Sequence, residues 1–392
     1  MVLANTFVPD TRVRREARAL SNYGYKVKIL CWDRQGTRPT QEVVENCLVT
    51  NLKFGRGTVL AESRVYFVIS AILFQFAILL SAIRTLRQSK ALILHAHDFN
   101  TLVGSAFVKL FFPVNMKLVY DSHEFTPGIY MEWYGTLVSR AVTIIERFSL
   151  RFVNRAIGAN DAISKYLGGF ATSESVSIYT CPDLKEVPPV SQAEARKRFG
   201  YGSEFIILFS GRVRQDYDFD LVTEAAHRLL QQGLTSKYKF VFTGPEETTA
   251  TITTKVELEH LQCIFDFRGW IPYNDLLLLY KASSVCFAVA HNIGPNSRIL
   301  TPIKLFESLS CGLPVLVRKG TLAEKIVSRY GCGVVVDGNQ ESFFDALVSL
   351  ADSQKMLQSL GEAGRSAFIK VFNWKVMEHR LLKVYESLYT ES

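Results

Sequence analysis

The sequence TPIKLFESLSCGLPVLV, residues 301–317, carries the clearest structural signal in the chain. Lys304 and Glu307 lie one helical turn apart and therefore share a face, while the apolar residues between them supply the other side. Gly312 ends the predicted helix, because glycine tolerates a left-handed cap, and a short buried strand follows Pro314. A cation and a carboxylate on one helix face suit a ligand that carries both a phosphate and a diol.

Strand and helix signals alternate on both sides of a polar, proline-rich linker at residues 181–189. Before the linker, a strand at 2–5, a helix at 10–20 and a strand at 26–32 form a β-α-β unit, which implies a parallel sheet. A chain of 392 residues is too long for one ordinary core. We therefore predict an α/β protein with two domains and a final helix, over residues 1–184, 185–373 and 374–392.

Polar clusters lie at the ends of three predicted strands of the first domain. They are His95/His97/Asp98, Asp121/His123/Glu124 and Asn160/Asp161. Ligands of open parallel sheets bind at the carboxyl ends of the strands. This edge of the sheet is therefore a predicted binding edge.

The positive charge of the chain lies in its first half. Residues 1–185 contain 22 Lys and Arg against 14 Asp and Glu, which accounts for the whole net charge of +8, whereas residues 186–392 contain 23 of each. This asymmetry predicts an anionic partner for the first domain, such as acidic lipid headgroups. Nucleic acid is not predicted, because the sequence contains no nucleic-acid-binding motif.

Residues 65–83 form the one segment that resembles a membrane span. They contain no charge and are bracketed by Arg64 and Arg84, and as a helix they would extend about 28 Å, near the thickness of a bilayer core. Strand signals lie on both sides of the segment, and strands of one sheet cannot lie on opposite sides of a membrane. We therefore expect either a buried helix or a helix that lies in the membrane surface.

Seven cysteines are scattered along the chain without a C-x-x-C pair, and the N-terminus has no signal-peptide pattern. This usage predicts free thiols in a reducing compartment, with neither disulfides nor zinc.

Five motifs occur in one order along the chain. They are DTRVRREA at 10–17, LILHAHD at 92–98, YDSHE at 120–124, FSGR at 209–212 and TPIKLFESLSCGLPV at 301–315. Together they resemble the retaining glycosyltransferases of family 4, which have the GT-B fold. The resemblance implies an α/β protein with two Rossmann-like domains whose parallel sheets face a central cleft, and a C-terminal helix that crosses back to the first domain.

The resemblance places a nucleotide-sugar donor on the second domain. In the family, the glutamate matched by Glu307 binds the ribose hydroxyls, and the arginine matched by Arg212 binds phosphate beside a lysine. The donor-binding set that the resemblance implies is Gly211, Arg212, Gly244, Ser297, Thr301, Lys304 and Glu307.

Two departures from the family pattern affect this donor site. Ile299 stands where the family has the first glutamate of its E-x7-E motif, so the segment says little about the identity of the sugar. The lysine that follows the family's arginine is absent, and we expect Arg214 or Lys304 to supply the second positive charge.

On the first domain, the resemblance identifies His97 as the residue that contacts the donor sugar. The acceptor-side set that it implies is Asp10, Arg12, His95, His123 and Glu124. His123 and Glu124 either orient an acceptor hydroxyl or cap a helix, and Asp10 is equally well explained as a helix N-cap. The predicted catalytic residues are His97, Arg212 and Lys304.

No cofactor and no metal ion are predicted. The leaving phosphate of a retaining transferase can take the acceptor's proton, so the reaction requires no protein base. Aspartates alternate at 216, 218 and 220, but they directly precede a helix, where aspartate caps are common. We therefore interpret them as caps rather than as metal ligands.

The sequence as a whole predicts a retaining hexosyltransferase that uses a UDP- or GDP-sugar. The expected acceptor is a lipid-linked or cell-envelope glycan precursor of polysaccharide biosynthesis, and the expected location is cytoplasmic, peripheral on the inner face of the cell membrane. Two alternatives stay open: a nucleotide-sugar epimerase of the same fold, and a non-catalytic nucleotide-sugar-binding scaffold.

Overall fold

The computed structural model describes residues 1–54, 64–89, 91–113, 116–171, 175–213, 217–290 and 294–390, with the side chains of 64–68 and 390 left out. The chain divides into two compact units. The first unit combines Met1–Thr180 with Met377–Ser392, and the second is Cys181–Val376. These divisions lie within a few residues of the predicted domain boundaries at 184 and 373.

The first unit contains an eight-stranded sheet in the order β3-β4-β2-β1-β5-β6-β7-β8. Its strands are β1 (Val2–Leu3), β2 (Lys28–Trp32), β3 (Gln41–Val44), β4 (Cys47–Leu52), β5 (Leu92–His97), β6 (Met116–Ser122), β7 (Arg155–Gly158) and β8 (Ser175–Ser177). Neighbouring strands are parallel, as predicted, except that β3 pairs antiparallel with β4. This edge hairpin was not predicted. Its two-residue turn, Glu45-Asn46, adopts positive φ angles at both positions, as tight hairpins require.

Within the described part of residues 1–180, six helices accompany this sheet. They are α1 (Thr11–Asn22), α2 (Arg64–Gln88), α3 (Phe99–Phe111), α4 (Thr126–Tyr134), α5 (Thr136–Leu150) and α6 (Asp161–Gly168). From β1 to β2 the chain moves one way along the sheet, whereas from β4 to β8 it moves the other way. Because crossovers between parallel strands are right-handed, α1 lies on one face of the sheet and α2, α3 and α5 lie on the other.

The second unit contains a six-stranded sheet in which all neighbouring strands are parallel, in the order β11-β10-β9-β12-β13-β14. Its strands are β9 (Phe205–Ser210), β10 (Tyr238–Thr243), β11 (Phe265–Phe267), β12 (Val285–Ala288), β13 (Val315–Arg318) and β14 (Gly333–Val336). The strand order reverses between β9 and β12. Such a switch point is where ligands bind in doubly wound sheets.

Nine helices of the second unit lie within the described residues. They are α7 (Gln192–Phe199), α8 (Phe219–Gln231), α9 (Glu246–Leu258), α10 (Tyr273–Ala282), α11 (Pro295–Ile299), α12 (Ile303–Cys311), α13 (Leu322–Tyr330), α14 (Gln340–Asp352) and α15 (Gln354–Lys370). The helix predicted around Lys304 and Glu307 is confirmed as α12. Gly312 caps it in the left-handed region, at φ 70°, and β13 follows.

The C-terminal helix, α16 (Trp374–Thr390), begins in the second unit and packs on the first from Met377 onward. The hydroxyl of Tyr385 lies 2.9 Å from Nδ1 of His95, and Arg155 donates to the hydroxyl of Ser387 at 2.7 Å. These contacts confirm the predicted return of the last helix to the first domain.

The apolar segment at 65–83 lies within α2. Phe74 and Ile78 are buried against the first unit, whereas the opposite face of the helix is exposed. By length and composition alone, α2 is apolar enough to cross a membrane, and 22% of its most apolar window is buried. Because β4 before it and β5 after it belong to one sheet, the helix packs along the unit in this fold.

Replacing Gly244 with alanine is expected to destabilise the second unit. The added Cβ would lie 2.2 Å from the carbonyl oxygen of Gly211, and backbone cannot move aside as a side chain can. The apparent Tm should fall by ~2–4 °C for each kcal/mol lost, as measured by thermal unfolding.

Gly202→Ala is the matched control, since its Cβ would meet the end of the flexible Glu204 side chain at 3.3 Å. Equal melting of the two variants would contradict the close approach of the two backbones.

Candidate active site

Three glycines meet at the carboxyl ends of adjacent strands in the second unit. The backbone N–H of Gly211 donates to the carbonyl of Thr243 at 2.8 Å, and that of Gly244 donates to the carbonyl of Gly269 at 2.9 Å. Arg212 directly follows the first of these glycines and is exposed. The predicted residues Gly211, Arg212 and Gly244 therefore lie together at one edge of the sheet.

Lys304 lies at the same edge. Its ammonium is 3.8 Å from the ring centroid of Phe209, near the end of β9, and 3.7 Å from that of Tyr217. Its side chain is 7% exposed. Two aromatic faces stabilise a buried ammonium by cation–π attraction, and they hold the charge beside the strand ends.

Glu307 is buried one turn further along α12, with 6% of the residue exposed. The hydroxyl of Tyr280 donates to its carboxylate at 2.9 Å, and the same hydroxyl is hydrogen-bonded to Ser210. Burial and the charge of Glu307 raise the pKa of Tyr280 well above its ordinary value. The tyrosine is therefore a neutral donor that orients the carboxylate, and Glu307 is not a solvated helix charge.

The segment before α12 is only partly described. The hydroxyl of Ser297 accepts from the N–H of Gly294 at 2.9 Å and donates to its carbonyl at 3.0 Å, so it caps α11. Thr301 is half-buried, and Ile299 is the last residue of α11. Residues 291–293 and 214–216, which include Arg214, lie outside the described residues.

In the first unit, Arg12 forms a buried bidentate ion pair with Asp121. Its Nε and Nη2 donate to the two carboxylate oxygens at 2.9 and 2.7 Å. Its third nitrogen donates to the carbonyl of Ile178. Burial opposes ionisation of Asp121, but the charges of Arg12 and His123 and hydrogen bonds from two histidines lower its pKa well below the ordinary value. Arg12 therefore joins α1 to the end of β6.

His123 lies between two carboxylates. Its Nδ1 is 3.5 Å from Asp98 and its Nε2 is 3.2 Å from Asp121, and its backbone N–H donates to Asp98 at 2.9 Å. Burial favours the neutral ring, but the two negative charges outweigh it and raise the pKa of His123 to about 10. The ring is an imidazolium at neutral pH.

His95 and His97 stack with ring centroids 4.3 Å apart. Burial lowers the pKa of both rings, so both are neutral. Nδ1 of His97 lies 3.2 Å from Nε2 of His123. The same Nδ1 lies 3.4 Å from the carboxylate of Asp121, so this nitrogen faces both an imidazolium and a carboxylate. His97 is 2% exposed, so a sugar does not reach its ring in the arrangement described.

Asp10 and Glu124 are less closely engaged in this network. The carboxylate of Asp10 accepts from the N–H of Val13 at 3.1 Å and is the N-cap of α1, which supports the capping interpretation of this residue. Glu124 is half-buried, and its backbone carbonyl accepts from the hydroxyl of Ser122 at 2.7 Å.

Four buried side chains of the first unit resemble a metal-ligand set. Ligand atoms of Glu16, His95, His97 and Asp121 all lie within 4.8 Å of one another. However, both oxygens of Asp121 already bind Arg12, whose Nε is also 3.1 Å from Glu16. Burial and the nearby charge of Asp121 raise the pKa of Glu16 well above its ordinary value. The guanidinium therefore already supplies a positive charge to two of these four residues.

Two aspartates at the start of α8 are paired with basic residues. Asp218 is at the N-cap position of α8 but its side chain does not cap the helix; it accepts from Arg318 at 2.9 Å. Asp220 pairs with Lys255 at 2.5 Å. The capping interpretation of these two side chains is therefore wrong in detail, since ion pairs hold them.

All seven cysteines are free, as predicted, and Cys263 is exposed while the other six are buried.

A cavity of about 620 Å³ lies elsewhere in the second unit. It is lined by residues at the amino ends of the strands, such as Phe205, Tyr238, Ser284 and Pro314. Ligands of parallel sheets bind at the opposite, carboxyl ends, where the predicted donor residues lie. We therefore do not place the donor in this cavity.

Several residues of these networks were not among the predicted site residues. They are Glu16, Asp121, Tyr280 and Tyr385. Asp121 precedes His123 at a strand end, which is a signal that the sequence contains. The partners of Tyr280 and Tyr385 lie 27 and 290 residues away in the chain, and no local pattern predicts them.

The raised pKa of His123 predicts that stability falls as the pH rises from neutral. An unfolded histidine titrates near ~6.5, whereas the folded one holds its proton to about pH 10. The free energy that the protonated His123 ring contributes to folding is therefore fully present below the unfolded pKa. It is lost as the pH rises to the folded pKa, at up to ~1.4 kcal/mol per pH unit. His123→Asn should flatten the fall in apparent Tm between neutral and alkaline pH.

His227→Asn is the control, because His227 pairs with Glu259 in the second unit. If His123→Asn and the parent lose stability in parallel with pH, His123 is not charged in the folded protein.

Comparison with known families gives two matches, one on each unit. The model described as "Glycosyl transferase 4-like domain" matches residues 9–172, and "Glycosyl transferases group 1" matches residues 191–367. Among curated proteins, D-inositol 3-phosphate glycosyltransferase 1 of Catenulispora acidiphila is 25% identical over 60% of this chain, and chitobiosyldiphosphodolichol beta-mannosyltransferase of Yarrowia lipolytica is 22% identical over 84%. The matches cover 56% and 74% of these relatives, so the chain spans little more than half of the first.

Solved structures share the fold of the whole chain. Sucrose-phosphate synthase from Thermosynechococcus elongatus has a TM-score of 0.76 at 18% identity, covering 100% of this chain and 99% of its own. Anabaena HepE, solved in complex with UDP, has a TM-score of 0.72 at 12% identity, covering 98% and 99%. The two parallel-sheet units, the returning helix and the family matches on both units agree: the chain belongs to the group 1 glycosyltransferases of GT-B fold.

Proposed function

We propose that this glycosyltransferase takes its sugar from a nucleotide-diphosphate sugar, UDP- or GDP-linked, bound at the strand ends of the second unit. The observation that carries this proposal is the buried pair Lys304 and Glu307 on α12, held by aromatic rings and by Tyr280. The ammonium suits a diphosphate and the carboxylate suits a ribose diol. The structures of Anabaena HepE with UDP and with UDP-glucose support this donor class.

Within this proposal, transfer proceeds with retention of the anomeric configuration. The acceptor oxygen bonds to the anomeric carbon as the bond to the diphosphate breaks, and the acceptor's proton passes to the leaving phosphate oxygen. Lys304 and Arg212 offset the charge that develops on the diphosphate, since fixed charges in a buried site need no reorganisation. The reaction then requires neither a protein base nor a metal ion.

On the first unit, the proposal gives His97 a contact with the sugar. Its Nε2 has no hydrogen-bond partner among the described residues, and a nitrogen of a neutral imidazole can donate to or accept from a sugar hydroxyl. The ring is covered in the present arrangement, so the proposed contact includes movement of its neighbours. This ring is positioned by a network of two cations and two carboxylates, which are Arg12, His123, Asp121 and Asp98.

The proposed acceptor is a lipid-linked or cell-envelope glycan, and the proposed location is the cytoplasmic face of a membrane. The excess positive charge of residues 1–185 supports an anionic partner. The Yarrowia relative is named for a diphosphodolichol acceptor, which supports a lipid-linked one. The seven free cysteines fit a reducing compartment.

Lys304→Ala and Glu307→Ala are expected to reduce kcat/KM for the preferred nucleotide sugar by about a hundred-fold or more, because each removes a buried charge from the donor site. The measurement is nucleotide release in a screen of UDP- and GDP-sugars with membrane-extracted acceptors. Lys319→Ala is the matched control, since Lys319 is an exposed lysine of the same unit, paired with Asp337.

Normal turnover by Lys304→Ala and Glu307→Ala would contradict this site. Sugar released without any acceptor would instead indicate an epimerase, and binding without turnover across acceptors would indicate a scaffold.

Retention and metal independence are tested together. Proton NMR of the first product should show the donor's anomeric configuration, and the rate should be unchanged by EDTA, since the proposed site uses Lys304 and Arg212 where a metal would act. An inverted product, or activity that EDTA abolishes and magnesium or manganese restores, would contradict this part of the proposal.

A further inference from the structure

The outward face of α2 is apolar along about three turns. Its exposed side chains recur at helical spacing: Ile69, Ile72, Leu73, Phe76 and Leu80. The opposite face, with Phe74 and Ile78, packs on the first unit. A surface helix of a globular protein normally presents polar residues to water. The outer side of α2 presents apolar residues instead.

Two neighbouring helices continue this face. The side chain of Gln75 accepts from the N–H of Gly104 at 2.8 Å and donates to the carbonyl of Asn100 at 2.9 Å, which joins α2 to α3. α3 in turn packs on α5. Their exposed apolar residues are Phe107, Leu110 and Phe111 on α3, and Leu137, Ile144 and Phe148 on α5. We call these residues and the exposed ones of α2 the apolar helix face.

Individual side chains of this face are open to solvent. Phe76 is 59% exposed and Ile144 is 69% exposed. Monomeric soluble proteins rarely expose contiguous apolar patches of several helices, and such patches mark sites that bind a partner or a membrane.

The charges on these helices have one sign at the surface. α2, α3 and α5 contain six basic residues and one acidic residue. The acidic one, Glu146, is fully buried and accepts from Tyr120 and Tyr166. Arg84 and Arg87 are exposed near the end of α2, and Arg140 is exposed on α5. An apolar face rimmed by cations is complementary to a surface that is apolar inside and anionic outside.

Aromatic residues with polar edges lie next to this face. Trp133 and Tyr134 end α4, which packs on α5, and both are exposed. Tryptophan and tyrosine are enriched at membrane–water interfaces, where the ring is in the apolar region and the polar edge remains hydrated.

We infer that the apolar helix face inserts into the surface of an anionic phospholipid membrane, with the flanking arginines contacting lipid phosphates. This inference rests on the proposed action at a membrane and names the surface responsible. α2 then lies in the plane of the interface rather than across the bilayer, because its inner face packs on the sheet and the strands on both sides of it belong to that sheet. A second copy of the chain fits less well, since a two-fold contact would bring like-charged rims together.

The experiment is sedimentation of the full chain with vesicles of phosphatidylcholine, with and without a minority of phosphatidylglycerol. The variant Phe76→Glu/Ile144→Glu should weaken binding to the anionic vesicles by about ten-fold or more, because it places two carboxylates in the inserted face. Leu258→Glu/Ile369→Glu is the matched control, since Leu258, 76% exposed, and Ile369 are exposed apolar residues of the second unit. Both changes are at the surface, so unchanged circular dichroism should accompany the loss.

Arg140→Ser/Arg84→Ser tests the rim separately. It should weaken binding to the anionic vesicles and leave the weaker binding to pure phosphatidylcholine unchanged. Equal binding by the parent and Phe76→Glu/Ile144→Glu would overturn the inference. The inference would also be overturned if the parent did not bind vesicles and instead formed a dimer that the same substitutions dissociate.

Nucleotide release with a soluble acceptor separates this inference from the proposed function. The face variants should retain that activity. Vesicle binding that depends on the face, in a protein that turns over no nucleotide sugar, would support the surface and contradict the proposed function.

Discussion

The ion pair between Arg12 and Asp121 supports the rest of the first unit's polar network. The two residues are 109 positions apart, yet they form a bidentate contact that is almost wholly buried. The guanidinium keeps Asp121 ionised, and Asp121 in turn helps keep His123 protonated. Both His123 and Asp121 lie close to Nδ1 of His97, at 3.2 and 3.4 Å. Removing one partner would leave an uncompensated buried charge, a change that is typically far more costly than the loss of an exposed pair.

The second unit uses a different arrangement to hold charge away from water. Lys304 is covered by the faces of Phe209 and Tyr217, and Glu307 accepts from Tyr280. Each charged group is thus positioned by aromatic residues of neighbouring elements, and β9 contributes to both contacts through Phe209 and Ser210. A site built on a strand end and a rigid helix holds its groups more precisely than a site built on loops.

Local patterns predicted those parts of the fold that depend on neighbours in the chain. The left-handed Gly312 and the buried strand after it follow directly from residue type, and the β-α-β order determined the parallel sheets. The edge hairpin was missed because QEVV in β3 has no clear alternation, and its Glu-Asn turn is a weaker signal than Asn-Gly. Within the sites, Lys304 and Glu307 are recognisable from spacing, but the partners of Asp121 and His95 are not. Those contacts join distant segments, and only the folded chain brings them together.

The first unit is built from two separate segments of the chain, because residues from Met377 onward pack with residues 1–180. Domains generally fold as units during synthesis, from the N-terminus onward. The second unit is contiguous, whereas the first lacks Tyr385, the partner of His95, until α16 has been synthesised. A stop codon directly after Val376 would therefore leave the second unit intact and damage the unit whose synthesis begins first.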